Sequence, residues 1–287
     1  MKAMSSQKLY SCRSLKQSGS VLVAAVWILA LFSILSAGLF RIVASCLNIS
    51  TRIERGGVCR QLARSACVLA QAQESQDQTG YDTLYEFSQK QSRQIDNLSF
   101  EFVAEDESGK ININICSKQA LSKLPGLDDY IAEKIIASEL RPYAAKEELL
   151  DVEGITSEVY KGLESFITVH GDGSININTA GLEVLYALGV DEALITTLID
   201  FRAGEDEKEG TEDDAAFEDV ADIVPQLKSR GISLAQEAAL VNLINQGLLR
   251  VDSQFRALKI TAAISAKAVD SYTVILDADR IIQWKEL

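Results

Sequence analysis

Residues 19–40 read GSVLVAAVWILALFSILSAGLF and contain no charged side chain. At 1.5 Å per residue, about 20 apolar residues in a helix span the roughly 30 Å hydrocarbon core of a bilayer. The segment before this run carries Lys2, Lys8, Arg13 and Lys16 and no acidic residue. Because basic flanks stay on the cytoplasmic side, the pattern predicts a single-pass membrane helix with its N-terminus in the cytoplasm and the bulk of the chain across the membrane.

Two simpler interpretations of this N-terminus stay open at this point. A secretory signal peptide has an apolar core of about 7–15 residues, followed by a small-residue cleavage site. The run here is longer, and it continues into polar helical sequence rather than into such a site. A plain signal anchor also fits the run, so the choice depends on the rest of the chain.

The composition predicts an aliphatic and strongly acidic protein beyond the apolar run. Apolar residues make up 47% of the 287 residues, aromatic residues make up 7%, and the net charge is −13. Residues 105–246 hold 29 acidic and 11 basic side chains, counted along the sequence. Such a surface repels nucleic acid and anionic membranes, and it attracts cations or basic partners.

The five cysteines predict neither a disulfide framework nor a zinc site. They are Cys12, Cys46, Cys59, Cys67 and Cys116, and no CxxC or Cys/His metal spacing occurs. A bridge from Cys116 to Cys59 or to Cys67 stays open from the sequence.

Hydrophobic periodicity predicts an α+β protein with a large insertion in a small sheet. The N-terminal helix should continue past the membrane to about residue 78, with an amphipathic second half. Alternating apolar residues predict a strand at residues 98–104. The predicted C-terminal strands are residues 255–268, 272–276 and 281–284, with turns at 269–271 and 277–279.

The middle of the chain contains an internal repeat. GKININICSKQALSKL at Gly109–Leu124 matches GSININTAGLEVLYAL at Gly173–Leu188 with an offset of 64 residues. Each copy is an extended INxN segment that leads into a helix, and Ser117 and Thr179 occupy positions expected for N-caps. The predicted second helices are residues 130–140 and 192–201, the similar closing segments are residues 143–155 and 216–227, and a further helix is expected at residues 234–243.

The first copy resembles a helix-hairpin-helix unit. In DNA-binding members of that family, two hairpin glycines let backbone N–H groups approach a phosphate. Here the hairpin reads Gly126-Leu127-Asp128, with Asp129 beside it, so carboxylates would oppose a phosphate backbone. The sequence therefore favours a helical packing unit over a DNA-binding one.

The loop RAGEDEKEGTEDDAA at Arg202–Ala216 is the strongest candidate for a cation site. Calcium binds six to eight hard oxygen ligands, and like charges at this density repel unless a cation neutralises them. The EF-hand spacing is absent, and a solvated acidic loop is the alternative. The expected side-chain ligands are Glu205, Asp206, Asp213 and Asp214, with the carbonyl or hydroxyl of Thr211 as a further oxygen.

No motif in the sequence predicts catalysis. The single histidine, His170, lies in a His-Gly-Asp-Gly turn and is expected to be an exposed loop residue. The sequence contains no G-x-S-x-G, P-loop or HExxH motif, so we expect no enzyme activity.

These features together resemble a GspK-type minor pseudopilin of the type II secretion system. The resemblance rests on the leader ending at Gly19, the apolar run, the two INxN-helix repeats and the closing VILDADRIIQWKE at Val274–Glu286. It implies a pilin-like α+β fold: a long N-terminal transmembrane and amphipathic helix, a small antiparallel sheet, and a large inserted α-helical domain with two helix-hairpin-helix-like repeats. The acidic loop is similar to the calcium loops of pseudopilins.

The resemblance also implies a processing site and a position in a fibre. Prepilin peptidase would cut between Gly19 and Ser20, and Ser20 would be N-methylated. Most pilins have Glu at the fifth mature position, where it pairs with the N-terminal amine of the subunit ahead. Here that position is Ala24, as expected for a K-type subunit that caps the pseudopilus with no subunit in front.

The implied domains are a prepilin leader (1–19), a transmembrane helix segment (20–40), a periplasmic helix segment (41–78), a pilin-like α+β domain (79–108 and 248–287) and an inserted helical domain (109–247). The implied partners are minor pseudopilins of the I, J and H types, prepilin peptidase, the inner membrane and secreted substrates, with no nucleic acid. The alternative is a membrane-anchored helix-hairpin-helix DNA receptor of the competence type.

Overall fold

One long helix, α1 (Ser18–Glu74), begins the described part of the chain. The computed structural model describes residues 18–265, 268–278 and 280–287, so the basic residues of the predicted leader lie outside it. The chain divides into two compact units, residues 1–57 and 58–287. Within the described ranges, α1 is the helix that is both long and apolar enough to be a candidate membrane span.

α1 runs through Gly56-Gly57 and ends four residues before the predicted boundary. The Asp77 carboxylate accepts hydrogen bonds from the backbone N–H of Thr79, at 2.8 Å, and from its hydroxyl, at 2.7 Å. Such local side-chain bonds compete with the helical pattern, which explains why the helix stops here.

The second unit combines one sheet with a helical insertion. Its further helices are α2 (Leu84–Ser88), α3 (Lys118–Leu121), α4 (Asp129–Ala137), α5 (Ser157–Leu163), α6 (Leu182–Ala187), α7 (Glu192–Arg202), α8 (Ile223–Ser229) and α9 (Leu234–Asn245). Its strands are β1 (Gln91–Ile95), β2 (Leu98–Asp106), β3 (Ile111–Asn112), β4 (Ile167–Thr168), β5 (Ile175–Asn176), β6 (Leu249–Arg250), β7 (Phe255–Ile264), β8 (Ala268–Asp277) and β9 (Arg280–Glu286). Short 3-10 helices cover Lys146–Asp151 and Val220–Asp222.

The main sheet is antiparallel and has the strand order β1-β2-β7-β8-β9. The insertion lies in the sequence between β2 and β7, which are neighbours in the sheet. Residue pairs such as Phe102↔Ile260 and Ile260↔Tyr272 define the register. The sequence missed β1, whose polar QSRQI segment lacks the apolar alternation of a half-buried strand.

One face of this sheet packs against the end of α1. The α1 side chains Cys59, Ala63 and Ala66 are fully buried, at the three-to-four-residue spacing that places them on one helix face. Their partners are alternate residues of the central strands: Phe100, Phe102, Leu258, Ile260, Ala262, Tyr272, Val274 and Leu276. The small α1 residues let the helix approach the sheet closely.

The hairpin between β7 and β8 turns earlier than the sequence predicts. β7 ends at Ile264, and Ser265 has φ +52°, a left-handed conformation that ends the strand. The predicted turn at residues 269–271 instead lies inside β8, where Val269 pairs with Ala263. The predicted Asp279 turn position lies outside the described residues.

The insertion consists of two similar modules with one shared apolar core. In the first module β3 pairs in parallel with β4, and in the second module β5 pairs in parallel with β6. β6 therefore belongs to the insertion by its pairing, although the sequence grouped residues from 248 onward with the sheet.

The second asparagine of each INxN segment binds the backbone of an aromatic residue in the closing segment. Asn114 Oδ1 accepts from Tyr143 N at 2.7 Å, and its Nδ2 donates to Tyr143 O at 3.0 Å. Asn178 repeats the pair with Phe217, at 2.9 Å for each bond, and also donates to Val251 O at 3.2 Å. The repeat in sequence is therefore a repeat in hydrogen bonding.

The predicted N-caps differ between the modules. Ser117 caps α3 by accepting from Ala120 N at 3.2 Å, as predicted. Thr179 caps no helix, because its hydroxyl donates to Asp106 Oδ2 at 2.6 Å, and the cap position of α6 is Gly181. The Thr179 hydroxyl, which the local sequence predicts as a helix cap, therefore binds a carboxylate that is distant in the sequence, Asp106.

Replacing Asn178 by alanine should lower the free energy of unfolding by about 2–4 kcal/mol, because the buried backbone N–H and carbonyl of Phe217 lose their partner. The measurement is urea unfolding of the full chain in mild detergent. The matched control, Asn242→Ala on the exposed face of α9, should change stability by less than about 0.5 kcal/mol. Equal losses in the two variants would contradict the role given to Asn178.

Candidate functional site

The predicted processing residues lie in the first turns of α1. Gly19 and Ser20 are helical, and Ser20 and Ala24 are exposed. No acidic side chain precedes Glu54 in the described part of α1. The helix therefore offers no carboxylate near position 24 to pair with an amine.

The surface of the first half of α1 is apolar on all sides. Large side chains at least half exposed include Trp27, Phe32, Ile34 and Phe40. A helix that is apolar all round needs lipid or other apolar helices around it. The geometry therefore fits a segment that spans a membrane or packs in a helix bundle.

The helix-hairpin-helix hairpin has the expected shape but a carboxylate at its phosphate position. Gly126 has φ +77°, the left-handed conformation that such a turn requires. Asp128 is the N-cap of α4, and its carboxylate accepts from Ile131 N at 2.8 Å. Because the protein's own carboxylate occupies this helix N-terminus, the hairpin does not offer the free N–H groups that bind phosphate.

His170 is half-buried, so the expectation of an exposed loop residue is wrong. Its ring stacks on Phe255 at a centroid distance of 5.8 Å, and its Nε2 lies 3.4 Å from Gln283 Oε1. Burial lowers the pKa of His170, so the ring is neutral at neutral pH. The histidine is a packing residue between the first module and the sheet.

The cysteines of the described range, Cys46, Cys59, Cys67 and Cys116, are free thiols. Burial raises the pKa of Cys59 and of Cys67 to about 11, and that of Cys116 to about 12. Since the thiolate is the reactive form, these three side chains are unreactive at neutral pH.

The acidic loop between α7 and α8 is tightly organised by its own carboxylates. Asp213 Oδ2 accepts from the backbone N–H groups of Glu205 and Asp206, at 2.7 and 3.0 Å. Asp214 accepts from Gly210 N at 2.7 Å and from Thr211 N at 3.1 Å. Hydrogen bonds from the Thr211 hydroxyl and from the backbone N–H groups of Asp206 and Glu205 lower the pKa of Asp213, so it is ionised at neutral pH.

Four oxygen atoms converge on the Thr211 hydroxyl. Its Oγ1 lies 2.8 Å from Asp213 Oδ1, 3.3 Å from Asp206 Oδ1, 3.4 Å from Asp214 Oδ1 and 3.2 Å from the Lys208 carbonyl oxygen. A hydroxyl has one proton to donate, so it can satisfy only one of these acceptors at a time. The remaining oxygens are the hard ligands that calcium prefers.

Three of the four predicted ligands thus come together, and one does not. Asp206, Asp213 and Asp214 share the Thr211 hydroxyl, whereas the Glu205 side chain makes no hydrogen bond or ion pair within the described residues. Thr211 itself was predicted as a further oxygen, and the structure places it at the centre of the group.

A second acidic group, which the sequence did not indicate, lies beside the end of α1. Oxygens of Asp77, Asp82 and Glu86 lie within 4.8 Å of one another, next to a cavity of about 400 Å³. Buried Asp82 accepts from Ser253 N at 2.5 Å and from Arg256 at 2.6 Å. Ser253 lies just before β7 and Arg256 lies near its start, so these partners assign Asp82 a structural role in fixing the entry to β7.

Comparison with known proteins supports the fold seen here. The family described as "Helix-hairpin-helix motif" matches residues 106–168. The sequence matches no curated protein closely enough to count as a relative. The structure is similar to a chain in the crystal structure of the GspK-GspI-GspJ complex from the enterotoxigenic Escherichia coli type 2 secretion system, with a TM-score of 0.62 and 15% identity. That match covers 83% of this chain and 99% of that chain, and it supports a GspK-like α+β fold.

Gly204 tests the packing of the acidic loop. It has φ +65°, and a Cβ at this position would overlap the Asp213 carbonyl group. The matched control is Gly247, which has φ +68° and open space around a Cβ. In both alanine variants the free energy of unfolding should fall by about 1–2 kcal/mol, because an L-residue is strained in the left-handed backbone conformation.

Gly204→Ala should lose roughly 1–3 kcal/mol more than Gly247→Ala, because the loop must move to accept the methyl group. Urea unfolding of the two full-length variants measures the difference. Equal stabilities would show that the loop is loose around Asp213.

Proposed function

We propose that this chain is a minor pseudopilin of a type II secretion system, placed at the tip of the pseudopilus, where it helps to initiate and cap the fibre. The observation that carries the proposal is the GspK-like fold, which aligns with 99% of the matched chain. The role is assembly in support of protein export across the outer membrane, not catalysis.

The apolar helix supplies the assembly contact in this proposal. Prepilin peptidase cuts after Gly19, Ser20 becomes the N-methylated first residue, and α1 passes from the inner membrane into the helix bundle of the fibre. The bulk of the chain lies in the periplasm. Because Ala24 replaces the usual glutamate, the chain cannot pair with the amine of a subunit ahead of it.

The proposed partners are the other minor pseudopilins of the I, J and H types, with contact to secreted substrates at the tip. The proposed division of the chain follows the sequence: a leader, a membrane helix, its periplasmic continuation, a pilin-like domain and a helical insertion. The insertion, which interrupts the sheet between β2 and β7, is the part that would close the end of the fibre.

The matched helix-hairpin-helix motif does not favour DNA binding here. The Asp128 carboxylate occupies the α4 N-terminus, and residues 105–246 carry 29 acidic and 11 basic side chains. Both features oppose a phosphate backbone.

Co-expression with I-, J- and H-type pseudopilins tests the assembly. The wild-type chain should lose its leader and co-purify with these partners from membranes. Gly19→Leu should keep the leader, as an intact mass including Met1, and should fail to assemble, because the uncut chain stays fixed in the membrane.

Gly38→Leu is the matched control, since Gly38 lies in the same apolar helix with open space around it. This variant should be cut like the wild type. A wild-type chain that keeps Met1, or that purifies without any pilin-like partner, would overturn the proposal. Tight, salt-sensitive binding to DNA would instead favour the receptor alternative.

We further propose that the acidic loop binds calcium. The donor set fits, because Asp206, Asp213, Asp214, the Thr211 hydroxyl and the Lys208 carbonyl are hard oxygen ligands grouped on a short loop. A bound cation would supply the positive charge that offsets the repulsion between these carboxylates. Glu205 stays part of the proposed set through its position next to Asp206.

Calorimetric titration of the full-length chain in detergent with calcium chloride tests this site. Asp213→Asn should weaken binding by at least about tenfold, because it removes a charged ligand and weakens the contacts that order the loop. Asp172→Asn is the control: its carboxylate makes a similar local turn, with Ser174, outside the loop. Absence of binding heat from the wild-type chain would remove calcium from the proposal.

A further inference from the structure

The residue that begins the acidic loop is a buried arginine. Arg202 is 2% exposed, and one guanidinium nitrogen donates to the carbonyl oxygens of Ile177, at 2.9 Å, and Ala180, at 2.8 Å. A second guanidinium nitrogen pairs with the Glu209 carboxylate, in the middle of the loop. Its Nε has no hydrogen-bond partner within the described part of the chain.

A guanidinium buried to this extent is costly unless its partners have good geometry. The planar fork of arginine can bind the backbone on one side and a carboxylate on the other, which the ammonium group of lysine cannot do in the same way. Arg202 therefore connects two segments that are distant in the sequence: the turn between β5 and α6, and the acidic loop.

The same residue also closes the loop through its backbone. Arg202 O accepts from Ala215 N at 2.9 Å, so the two ends of the loop meet at Arg202. The side chain then fixes the middle of the loop, through Glu209, and the backbone fixes its ends.

Holding Glu209 in place also holds its two neighbours. The carbonyl of Lys208 is one of the four oxygens around the Thr211 hydroxyl, and the N–H of Gly210 donates to Asp214 Oδ2. The oxygen group proposed to bind calcium is thus built on both sides of the residue that Arg202 binds. Glu209 itself is neutralised by Arg202 and does not belong to that group.

We propose that Arg202 is a positioning residue that couples cation binding in the acidic loop to the second module of the insertion, through Glu209 on one side and the carbonyl groups of Ile177 and Ala180 on the other. This inference rests on the proposed calcium site. Coupling is reciprocal, so calcium should stabilise the β5–α6 turn, and an intact turn should strengthen calcium binding.

Glu209→Gln tests the coupling with little risk of unfolding, because Glu209 is partly exposed and glutamine keeps its shape. The full-length chain in detergent is studied by calcium titration, and by amide hydrogen exchange in calcium chloride and in a calcium chelator. In the wild type, calcium should slow exchange both in the loop and in residues 175–182.

In Glu209→Gln, calcium affinity should fall by roughly 5-fold or more, within the usual range of coupled sites. Saturating calcium should still slow exchange in the loop, but it should slow exchange in residues 175–182 clearly less than in the wild type, because the Asn178–Phe217 bonds then join the loop end to this turn without the charged Arg202–Glu209 pair. A purely structural role would lower stability in the chelator while leaving the effect of calcium on residues 175–182 intact.

Arg202→Lys is the second variant. It should reduce the effect of calcium on exchange in residues 175–182 in the same way, although the positive charge is retained. Arg230→Gln is the control, because exposed Arg230 stacks on Phe201 of the same module and makes no side-chain hydrogen bond or ion pair with the loop among the described residues. If Glu209→Gln binds calcium as the wild type does, and calcium slows exchange in residues 175–182 to the same extent, the coupling alone is overturned. Absence of calcium binding by the wild type would overturn the calcium site and the coupling together, while leaving the assembly role to its own test.

Discussion

The buried carboxylate of Asp106 connects the sheet to the helical insertion. It ends β2 and accepts four hydrogen bonds: from Ser108 N and Ser253 Oγ at 2.6 Å, from Thr179 Oγ1 at 2.6 Å and from Asn176 Nδ2 at 2.9 Å. Ser108 begins the insertion, Ser253 ends it, and the other two belong to the second INxN segment. Burial raises the pKa of this carboxylate, and the four donors oppose the shift. Both crossings of the chain and the second module therefore meet the end of β2 at one carboxylate.

The local sequence patterns predicted those elements whose structure depends on neighbouring residues. The apolar run, the two INxN segments and most helices follow from periodicity and from the internal repeat, which the structure reproduces as paired strands and matching asparagine bonds. Several of the failures involve partners far away in the sequence or turns with no strong signal. Thr179 lost its cap role to Asp106, His170 packs on Phe255, and Ser265 turns the chain early between two strand-forming segments. No spacing rule predicts the Thr179 and His170 contacts, because both depend on how the sheet and the insertion pack.

The helix-hairpin-helix module shows that the hairpin conformation can occur without a free phosphate-binding helix N-terminus. The hairpin glycine still adopts its left-handed conformation, and the helices still pack around buried Leu121, Ala132 and Ile135. Yet the helix N-terminus is filled by Asp128, and the surrounding surface is acidic. A motif of this kind therefore identifies a packing unit, and function has to be argued from the groups that the unit presents.

The acidic loop shows a different limit of sequence reasoning. Composition identified the loop and its hard oxygen atoms, but composition cannot distinguish a free carboxylate from one already paired with a cation inside the protein. Glu209, which was not among the expected ligands, is paired with Arg202. The expected ligand Glu205 makes no side-chain hydrogen bond or ion pair among the described residues, while Thr211, expected as a further oxygen, lies where the carboxylates converge. The difference arises because Arg202 ends α7 facing the turn of the second module, so its burial depends on the tertiary fold. In the proposed calcium site, cation binding would therefore depend on the whole second module, because Arg202 and the Asn178–Phe217 bonds both join the β5–α6 turn to the loop or its end.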